Sequence, residues 1–291
     1  MHDARRRLDE LKVTVRGTVR RGVVQRAPGP ARLEEILGGS ETTCAGRRYW
    51  LVETPFHEVC ERHGVTLEHL GRPFVYTGNG VQTSCDQPTV GDPARAGRGE
   101  APVGEPRRAS RVQPLVVEPR RTMVLDIETG GFAGVPVFLI GLVPLDRWPL
   151  QVVQLLARDY PEEEAILHGL AELAGVRDTW VTFNGKSFDE PFVRDRATLH
   201  RVPQPPPRVH VDLLHAARRQ WRGVLPNCRL GTVEEHILRR PRVGDVPSSD
   251  IPELFHHFMR TGHAGPLRPV LAHNRIDLVS CTELLIRLSR P

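Results

Sequence analysis

Apolar and polar positions change their spacing along the second half of the chain. From residue 122 onward, three apolar runs follow one another closely and predict neighbouring strands, at 123–128, 137–143 and 150–157. Stretches with apolar residues at three- and four-residue steps then alternate with two shorter apolar runs. Three adjacent strands followed by alternating strands and helices predict an α/β fold, a mixed sheet flanked by helices.

The later elements follow from local signals. A helix is predicted to begin at Pro161, because a proline followed by three glutamates suits a first helical turn. Two further strands are predicted, at 179–184 and 209–211. Five further helices are predicted, at 188–199, 213–222, 232–238, 252–261 and 267–288.

The first 118 residues show weaker patterning. A short helix is predicted over 30–37 and a strand over 48–53. Pro, Gly, Ala and Arg dominate residues 86–118, which predicts a flexible linker. We therefore predict a small, poorly ordered N-terminal region at 1–85, this linker, and an α/β domain at 119–291.

Composition narrows the class of protein. Apolar residues make up 39% and charged residues 26%, as in soluble globular proteins, and no apolar run approaches the roughly 20 residues that cross a bilayer. Five scattered cysteines and a charged N-terminus predict reduced thiols and a cytoplasmic location. His57, Cys60 and His63 stand at three-residue steps, so a zinc site is one interpretation, although incidental histidines on a polar helix or loop are favoured.

The net charge of +5 is unevenly placed. Residues 1–121 carry 20 Lys and Arg against 15 Asp and Glu, whereas residues 122–291 carry 20 of each. A mildly basic N-terminal part permits contact with phosphates without demonstrating it.

Two carboxylates interrupt the first apolar run of the α/β domain. Asp126 and Glu128 are two residues apart, so on a strand their side chains project to the same face. Neighbouring acids repel each other unless a cation neutralises them, and oxygen ligands suit Mg²⁺ or Mn²⁺. This stretch therefore predicts a divalent-metal site at the end of a central strand.

Two further motifs contain acids at positions where a sheet binds ligands. Asp189 follows the strand that ends near Asn184, at the edge where open α/β sheets hold ligands, although an acid interacting with the helix dipole is an alternative. His273 and Asp277 lie one turn apart on the last predicted helix, in a spacing that is also common in purely structural pairs.

Taken in order, these motifs resemble those of the DEDD exonuclease superfamily, which has a ribonuclease H-like fold. Asp126-Ile127-Glu128 is similar to the first motif, Asn184 through Phe188-Asp189 to the second, and His273 through Asp277 to the third. Within that superfamily the segments 138–141, 184–189 and 211–218 resemble bacterial YprB-like proteins, and the resemblance covers roughly residues 119–290.

The resemblance implies a site with two metal ions, Mg²⁺ or Mn²⁺. Asp126, Glu128 and Asp277 would hold one ion, Asp126 would bridge to the second, and Asp189 would contribute to it. His273 would act as the general base, a role that suits the titration range of histidine. In the superfamily the base is a tyrosine four residues before the final aspartate or a histidine five before it, whereas this chain has a histidine at the tyrosine spacing.

Further residues are expected to contact substrate. The loop formed by Thr129, Gly130 and Gly131 can approach a terminal nucleotide closely, and Asn184 can hydrogen-bond a sugar or base edge. Three side chains keep two interpretations each: Lys186 as a phosphate contact or a solvated lysine, Phe188 as a border of the base or a core residue, and Asp212 as a residue behind the site or a helix cap. Asp245 and Asp250 are interpreted as turn or cap residues.

The favoured function is a metal-dependent nuclease, a 3′→5′ exonuclease that acts on single-stranded ends of DNA or RNA. One alternative is an endonuclease of the ribonuclease H class. Another is a nucleic-acid-binding module whose chemistry has lapsed, although an idle cluster of four acids would be costly. Membrane partners are not expected, and the pattern indicates no particular protein partner.

Overall fold

The computed structural model describes residues 30–61, 74–76, 82–83, 115–131, 134–204 and 206–290 of the chain. Residues 86–114 of the predicted linker and residues 1–29, 62–73, 77–81 and 84–85 of the predicted N-terminal region lie outside the described residues. The same holds for His63 and for the side chain of Cys60, two members of the suggested zinc site.

The described residues form two β-sheets with helices packed against them. The strands are β1 (Ser40–Cys44), β2 (Arg47–Pro55), β3 (Phe74–Tyr76), β4 (Gln82–Thr83), β5 (Leu115–Val117), β6 (Thr122–Thr129), β7 (Val137–Pro144), β8 (Gln151–Leu156), β9 (Thr179–Thr182), β10 (Val209–Asp212) and β11 (Ser289–Arg290). The helices are α1 (Pro30–Leu37), α2 (Phe56–Glu61), α3 (Glu163–Ala174), α4 (Asp189–His200), α5 (Leu213–Trp221), α6 (Leu230–Val233), α7 (Ile251–Thr261) and α8 (Leu267–Arg287). None of these helices is both long and apolar enough to cross a membrane.

The larger sheet has the strand order β1-β2-β8-β7-β6-β9-β10-β4, and the smaller sheet has the order β11-β3-β5. Strands β6, β7 and β8 pair antiparallel with one another, whereas β9 pairs parallel with β6 and β10 pairs parallel with β9. The predicted α/β fold, with antiparallel strands followed by parallel strands and flanking helices, is confirmed. Strand β2 pairs with β8, so residues from the N-terminal region continue this sheet, and β5 lies at the end of the segment predicted to be a linker.

Strand β6 lies inside the larger sheet and separates two hydrophobic cores. Its odd-numbered apolar residues pack in the core that contains α3, whereas Val124 packs in the core that contains Leu278 of α8. Side chains alternate along a strand, so Asp126 and Glu128 share the face of Val124. The two acids therefore project toward α8, and the strand register that buries the apolar residues also fixes this direction.

The turn after β9 positions the second motif. β9 ends at Thr182, two residues before the predicted end, because Asn184 takes a left-handed conformation with φ of 69° that asparagine tolerates better than most residues. A Cβ at Gly185 would lie 2.3 Å from Oγ1 of Thr182, so only glycine fits the next position. This tight turn makes Asp189 the first residue of α4.

Candidate active site

A pocket of about 560 Å³ opens beside the carboxyl ends of β6 and β9, against α8. Most of the predicted site residues line it, although they come from three distant segments of the chain. They are Asp126, Glu128, Thr129, Gly131, Asn184, Phe188, Asp189, His273 and Asp277. The structure therefore brings together the four acids and the histidine of the three motifs.

Two predicted site residues do not line this pocket. Gly130 is buried behind the loop, where its N–H donates to the carbonyl oxygen of Pro136 at 2.9 Å. Burial lowers the pKa of Lys186 below its ordinary value, and the carboxylate of Asp212 only partly offsets this shift. Lys186 is half-buried, and its placement favours neither of its two interpretations decisively.

Asp212 acts as a cap and holds the turn of the second motif. Its carboxylate accepts the N–H of Leu214 at 3.0 Å at the start of α5. It also accepts the backbone N–H groups of Asn184 at 2.9 Å and Lys186 at 3.2 Å. The helix-cap interpretation is therefore right, and the same carboxylate holds Asn184 in its left-handed conformation.

Asp126 is oriented by a buried amide. Asn274 of α8 is fully buried and donates from Nδ2 to Oδ2 of Asp126 at 2.8 Å. Its own Oδ1 accepts from Nε2 of Gln154 at 2.8 Å. Asp126, Gly141 and Gln154 are neighbours across β6, β7 and β8, so a polar row crosses the sheet beneath Asn274. This row fixes the orientation of the Asp126 carboxylate.

Gly141 leaves the space that Asn274 occupies. A Cβ at Gly141 would lie 2.1 Å from Oδ1 of Asn274 and 2.7 Å from Cδ1 of Leu278. We expect Gly141→Ala to lower the free energy of unfolding by about 2–3 kcal/mol, because overpacking pushes α8 away from the sheet. Urea unfolding measures this change.

Gly175→Ala is a matched control for that substitution. Gly175 has a φ of −55°, and the nearest atom to an added Cβ lies 3.4 Å away. A side chain therefore fits, and alanine there is expected to stabilise the protein by a few tenths of a kcal/mol, roughly, through the unfolded state. Equal effects of the two substitutions would contradict the close approach of α8 to β7.

Burial and mutual repulsion raise the pKa values of the four acids. Burial, and then repulsion from Asp277, Glu128 and Asp189, raises the pKa of Asp126 well above that of an ordinary aspartate. The pKa of Glu128 is raised well above its usual value in the same way. Burial raises the pKa of Asp189 to about 7 even though Ile127 N–H donates to its Oδ1 at 3.2 Å. The cluster therefore lacks sufficient positive charge from the protein itself.

One arginine supplies cationic charge to this cluster. Arg242 donates to Oδ1 of Asp277, to Oε1 of the buried Glu234 at 2.7 Å, and to Oδ2 of Asp245 at 2.9 Å. These carboxylates raise the pKa of Arg242, and the guanidinium lowers the pKa of Asp277, which burial raises. A single guanidinium shared by three acids leaves Asp126 and Asp189 uncompensated, and its effect on the pKa of Glu128 is smaller than that of burial and of the neighbouring acids.

His273 is held by Asp245. Its Nδ1 lies 2.8 Å from Oδ2 of Asp245, and because a carboxylate accepts, Nδ1 carries the donated hydrogen. Its Nε2 lies 3.3 Å from Oγ of Ser248 and 3.8 Å from Oδ2 of Asp277, at the pocket wall. Asp245 is therefore more than the predicted turn residue, since it leaves Nε2 of His273 as the acceptor that faces the pocket.

The donor set fits hard divalent cations in its chemistry. As the side chains stand, no group of three His, Cys, Asp or Glu among the described residues converges to hold a metal ion, and one oxygen of Asp277 faces Arg242. All four acids nevertheless line one pocket and repel each other, and carboxylate oxygens are the ligands that Mg²⁺ and Mn²⁺ prefer. A shared ion would require these carboxylates to turn toward one another from the positions they have in the structure.

The sequence pattern did not indicate three residues of the site. Asn274, Arg242 and Asp245 contact the motifs through hydrogen bonds that span 148, 35 and 28 positions of the chain. Asn274 directly follows His273 inside the third motif, so its position was a possible signal. Arg242 and Asp245 lie in an irregular segment without patterning, and only the fold brings them to the pocket.

Comparisons with known proteins place the chain in a family. The family model of the RNase H superfamily matches residues 123–289. The Bacillus subtilis (strain 168) protein YprB is 36% identical over 170 residues, which are 57% of this chain and 41% of YprB, so the chain spans less than half the length of that relative. A family B DNA polymerase from the hyperthermophilic archaeon Pyrobaculum calidifontis has a TM-score of 0.49 at 18% identity, over 61% of this chain and 26% of the polymerase chain. The family match covers more than half of the sequence and confirms the predicted ribonuclease H-like fold: this chain belongs to the RNase H superfamily.

Proposed function

We propose that the pocket is the active site of a nuclease that depends on divalent metal ions and hydrolyses phosphodiester bonds. The observation that carries this proposal is the convergence of Asp126, Glu128, Asp189 and Asp277 on one pocket with raised pKa values. A phosphodiester is an anion, so it can approach such a cluster only if cations neutralise the carboxylates.

The four acids would hold Mg²⁺ or Mn²⁺. When bound, such ions activate a water molecule, neutralise charge on the phosphate and assist the leaving oxygen. The protein itself orients these ligands: Asn274 holds Asp126, and the backbone N–H of Ile127 holds Asp189. Orienting hydrogen bonds of this kind support the geometry of metal ligands.

His273 is the proposed general base. The hydrogen bond from Nδ1 to Asp245 fixes the ring and its tautomer, so Nε2 can accept a proton from an attacking water in the pocket. The helical spacing from Asp277 differs from that of histidine bases in the superfamily that the motifs resemble. Because Asp245 aims the ring, this spacing does not prevent the proposed role.

Residues at the mouth of the pocket would hold the terminal nucleotide. Phe188 is 41% exposed, lines the pocket and packs against Phe192 with ring centroids 5.4 Å apart, so its free face can stack on a base. Thr129 donates to the carbonyl oxygen of Gly131 at 2.6 Å, which closes the loop beside the acids. The resemblance of the second and third motifs to DEDD exonucleases favours 3′→5′ digestion of single-stranded ends.

We place this activity in the cytoplasm. Within the described part of the chain Cys44, Cys228 and Cys281 are free thiols, which suits a reducing compartment. DNA and RNA remain equal substrate proposals, since neither motif spacing nor pocket lining distinguishes the sugars.

The test is digestion of 5′-labelled single-stranded DNA and RNA in Mn²⁺ or EDTA. The wild-type protein is expected to produce a ladder of shortened strands in Mn²⁺ and no products in EDTA. Asp189→Asn should abolish the ladder, whereas Asp195→Asn, an exposed aspartate on the same helix, should leave it unchanged. Circular dichroism checks that both variants fold.

Other outcomes reassign the function. Discrete internal products would indicate an endonuclease of the ribonuclease H class. Tight binding without cleavage by the wild-type protein would indicate a binding module. Equal loss of the ladder in both variants would contradict the proposed role of the acids in the pocket.

A further inference from the structure

A second pocket adjoins the candidate active site. It has a volume of about 460 Å³ and shares Phe183 and Asn184 with the first pocket. The opposite side of this second pocket is formed by α5 and by the loop before α6, which contribute Arg218 and Arg229. A chain molecule that leaves the first pocket across Asn184 therefore enters the second.

The wall of the second pocket is strongly basic, unlike that of the first. Residues 213–233 contain four arginines, Arg218, Arg219, Arg222 and Arg229, and no aspartate or glutamate. The whole chain has a net charge of only +5, so this concentration on one short segment creates a local positive field.

The two arginines that line the second pocket are available for an anion. Both are exposed, and neither forms an ion pair with a described residue. In contrast, Arg158, Arg177 and Arg242 are all engaged by carboxylates. An exposed guanidinium without an acidic partner keeps its donors for phosphate oxygens.

The loop that carries Arg229 is internally fixed. Oδ1 of Asn227 accepts the backbone N–H of Arg229 at 2.9 Å and the hydroxyl of Thr232 at 2.7 Å. Arg229 therefore starts from a defined backbone position next to α6, and Arg218 starts from the last turn of α5. Two arginines on ordered elements can face one phosphate backbone at a lower entropic cost than arginines on a free loop.

We propose that the second pocket binds the phosphodiester backbone of the nucleic acid strand whose end occupies the candidate active site. Arg218 and Arg229 each contact a phosphate, and Asn184 marks the passage between the two pockets. This inference rests on the proposed nuclease function, and it adds the path of the strand and the residues that hold it. The ligand class is a single strand of DNA or RNA, recognised through the phosphates that both share.

Salt dependence of binding tests the proposal directly. Each phosphate contact on a single strand adds about 0.7 to the slope of log K against log salt concentration. The Asp189→Asn substitution serves as a background because it prevents digestion. In this background we expect Arg218→Gln/Arg229→Gln to reduce the magnitude of the slope by about 1.4. Fluorescence anisotropy with labelled 12-nucleotide oligo-dT and oligo-U measures it, with Mn²⁺ present.

Arg222→Gln is the matched control. Arg222 is exposed and lies in the same basic segment, but it does not line the second pocket. In the Asp189→Asn background, the slope measured for Arg222→Gln is expected to equal that measured without it. If the double substitution changes the slope with both oligonucleotides, the pocket binds the phosphate backbone that DNA and RNA share. If the slope changes with only one of them, the pocket binds that nucleic acid. Equal slopes for all proteins, or an equal decrease in Arg222→Gln, would overturn the proposal.

The result is separable from that of the digestion experiment. If the wild-type protein digests strands but the double substitution leaves the slope unchanged, the strand path is wrong and the nuclease proposal stands. If the slope decreases but the wild-type protein digests nothing, the strand path stands and the nuclease proposal is wrong.

Discussion

Asp126→Asn is expected to reduce nuclease activity about 10³-fold and at the same time to stabilise the metal-free protein. Metal ions supply several kcal/mol of charge stabilisation in the transition state, and about 1.4 kcal/mol corresponds to a factor of ten in rate. In the metal-free protein the same carboxylate is repelled by Asp277, Glu128 and Asp189. Removing its charge should raise the free energy of unfolding by roughly 1–2 kcal/mol.

The pH dependence of this stability gain follows from the direction of the pKa shift. The folded-state pKa of Asp126 is raised, so the folded protein binds more protons than the unfolded chain between the ordinary and the raised pKa. Wild-type stability therefore decreases as the pH rises through this window. The advantage of Asp126→Asn should be small near pH 4 and should increase toward neutral pH, as urea unfolding in EDTA measures.

Asp146→Asn provides a control with the opposite expected sign. Burial raises the pKa of Asp146, but the hydrogen bonds and charge of Arg177, at 2.7 and 2.8 Å, outweigh burial and lower it. Its neutralisation should reduce stability by up to about 1 kcal/mol and leave activity intact. Destabilisation by Asp126→Asn of the same size would contradict a repulsive acid cluster.

Arg242→Met is expected to cause the largest loss of stability among surface-accessible substitutions near the site. Arg242 is the guanidinium that Asp277, Glu234 and Asp245 share, and its removal leaves partly buried carboxylates without a counter-charge. Breaking a buried ionic group in this way costs about 3–5 kcal/mol. Urea unfolding in EDTA measures the loss.

Divalent metal should recover part of that loss. A cation that binds only the folded protein stabilises it by an amount that rises with the logarithm of its concentration above Kd, and it would replace the missing positive charge. Arg260→Met is the control, because Arg260 and Glu253 form an exposed pair with side chains 59% and 70% accessible. A loss for Arg242→Met as small as that of the control, or one that Mn²⁺ does not change, would count against this electrostatic account.

The interior strands could be predicted because burial imposes a recognisable pattern. Strands β6, β7 and β8 are apolar runs between polar turns, and each predicted end lies within one residue of the end in the structure. Strand β1 could not be predicted in this way. Its sequence Ser-Glu-Thr-Thr-Cys carries no apolar alternation, and it becomes a strand because β2 offers a free edge.

Local geometry explains why some helices begin or divide at other residues than predicted. Pro161 lies within a 3₁₀ turn, Tyr160–Glu162, in which the Asp159 side chain accepts the N–H of Glu162 at 3.2 Å, and α3 starts only at Glu163. The segment predicted as one helix at 232–238 divides into α6 and a π turn. Such adjustments depend on hydrogen bonds with the rest of the fold, which a hydrophobic pattern does not encode.

In the site, too, some residues could be predicted from the sequence and others could not. Asp126 and Glu128 could be paired from strand periodicity alone, and the resemblance joined them to Asp189 and Asp277. Asn274 stands beside His273 in the third motif, but its hydrogen bond to Asp126, like the Asp245–His273 contact, depends on how α8 crosses the sheet. Lys186 stands beside the second motif in the sequence, but in the structure it does not line the pocket, and its backbone N–H donates to Asp212.

The most direct measurement is anomalous X-ray scattering from crystals grown with Mn²⁺. The account predicts a strong anomalous peak in contact with the carboxylates of Asp126, Glu128 and Asp277, with Asp277 released from Arg242. The peak should disappear in crystals of Asp126→Asn. A fully ordered site without manganese, or manganese bound only elsewhere on the protein, would contradict the claim that these acids form a metal centre.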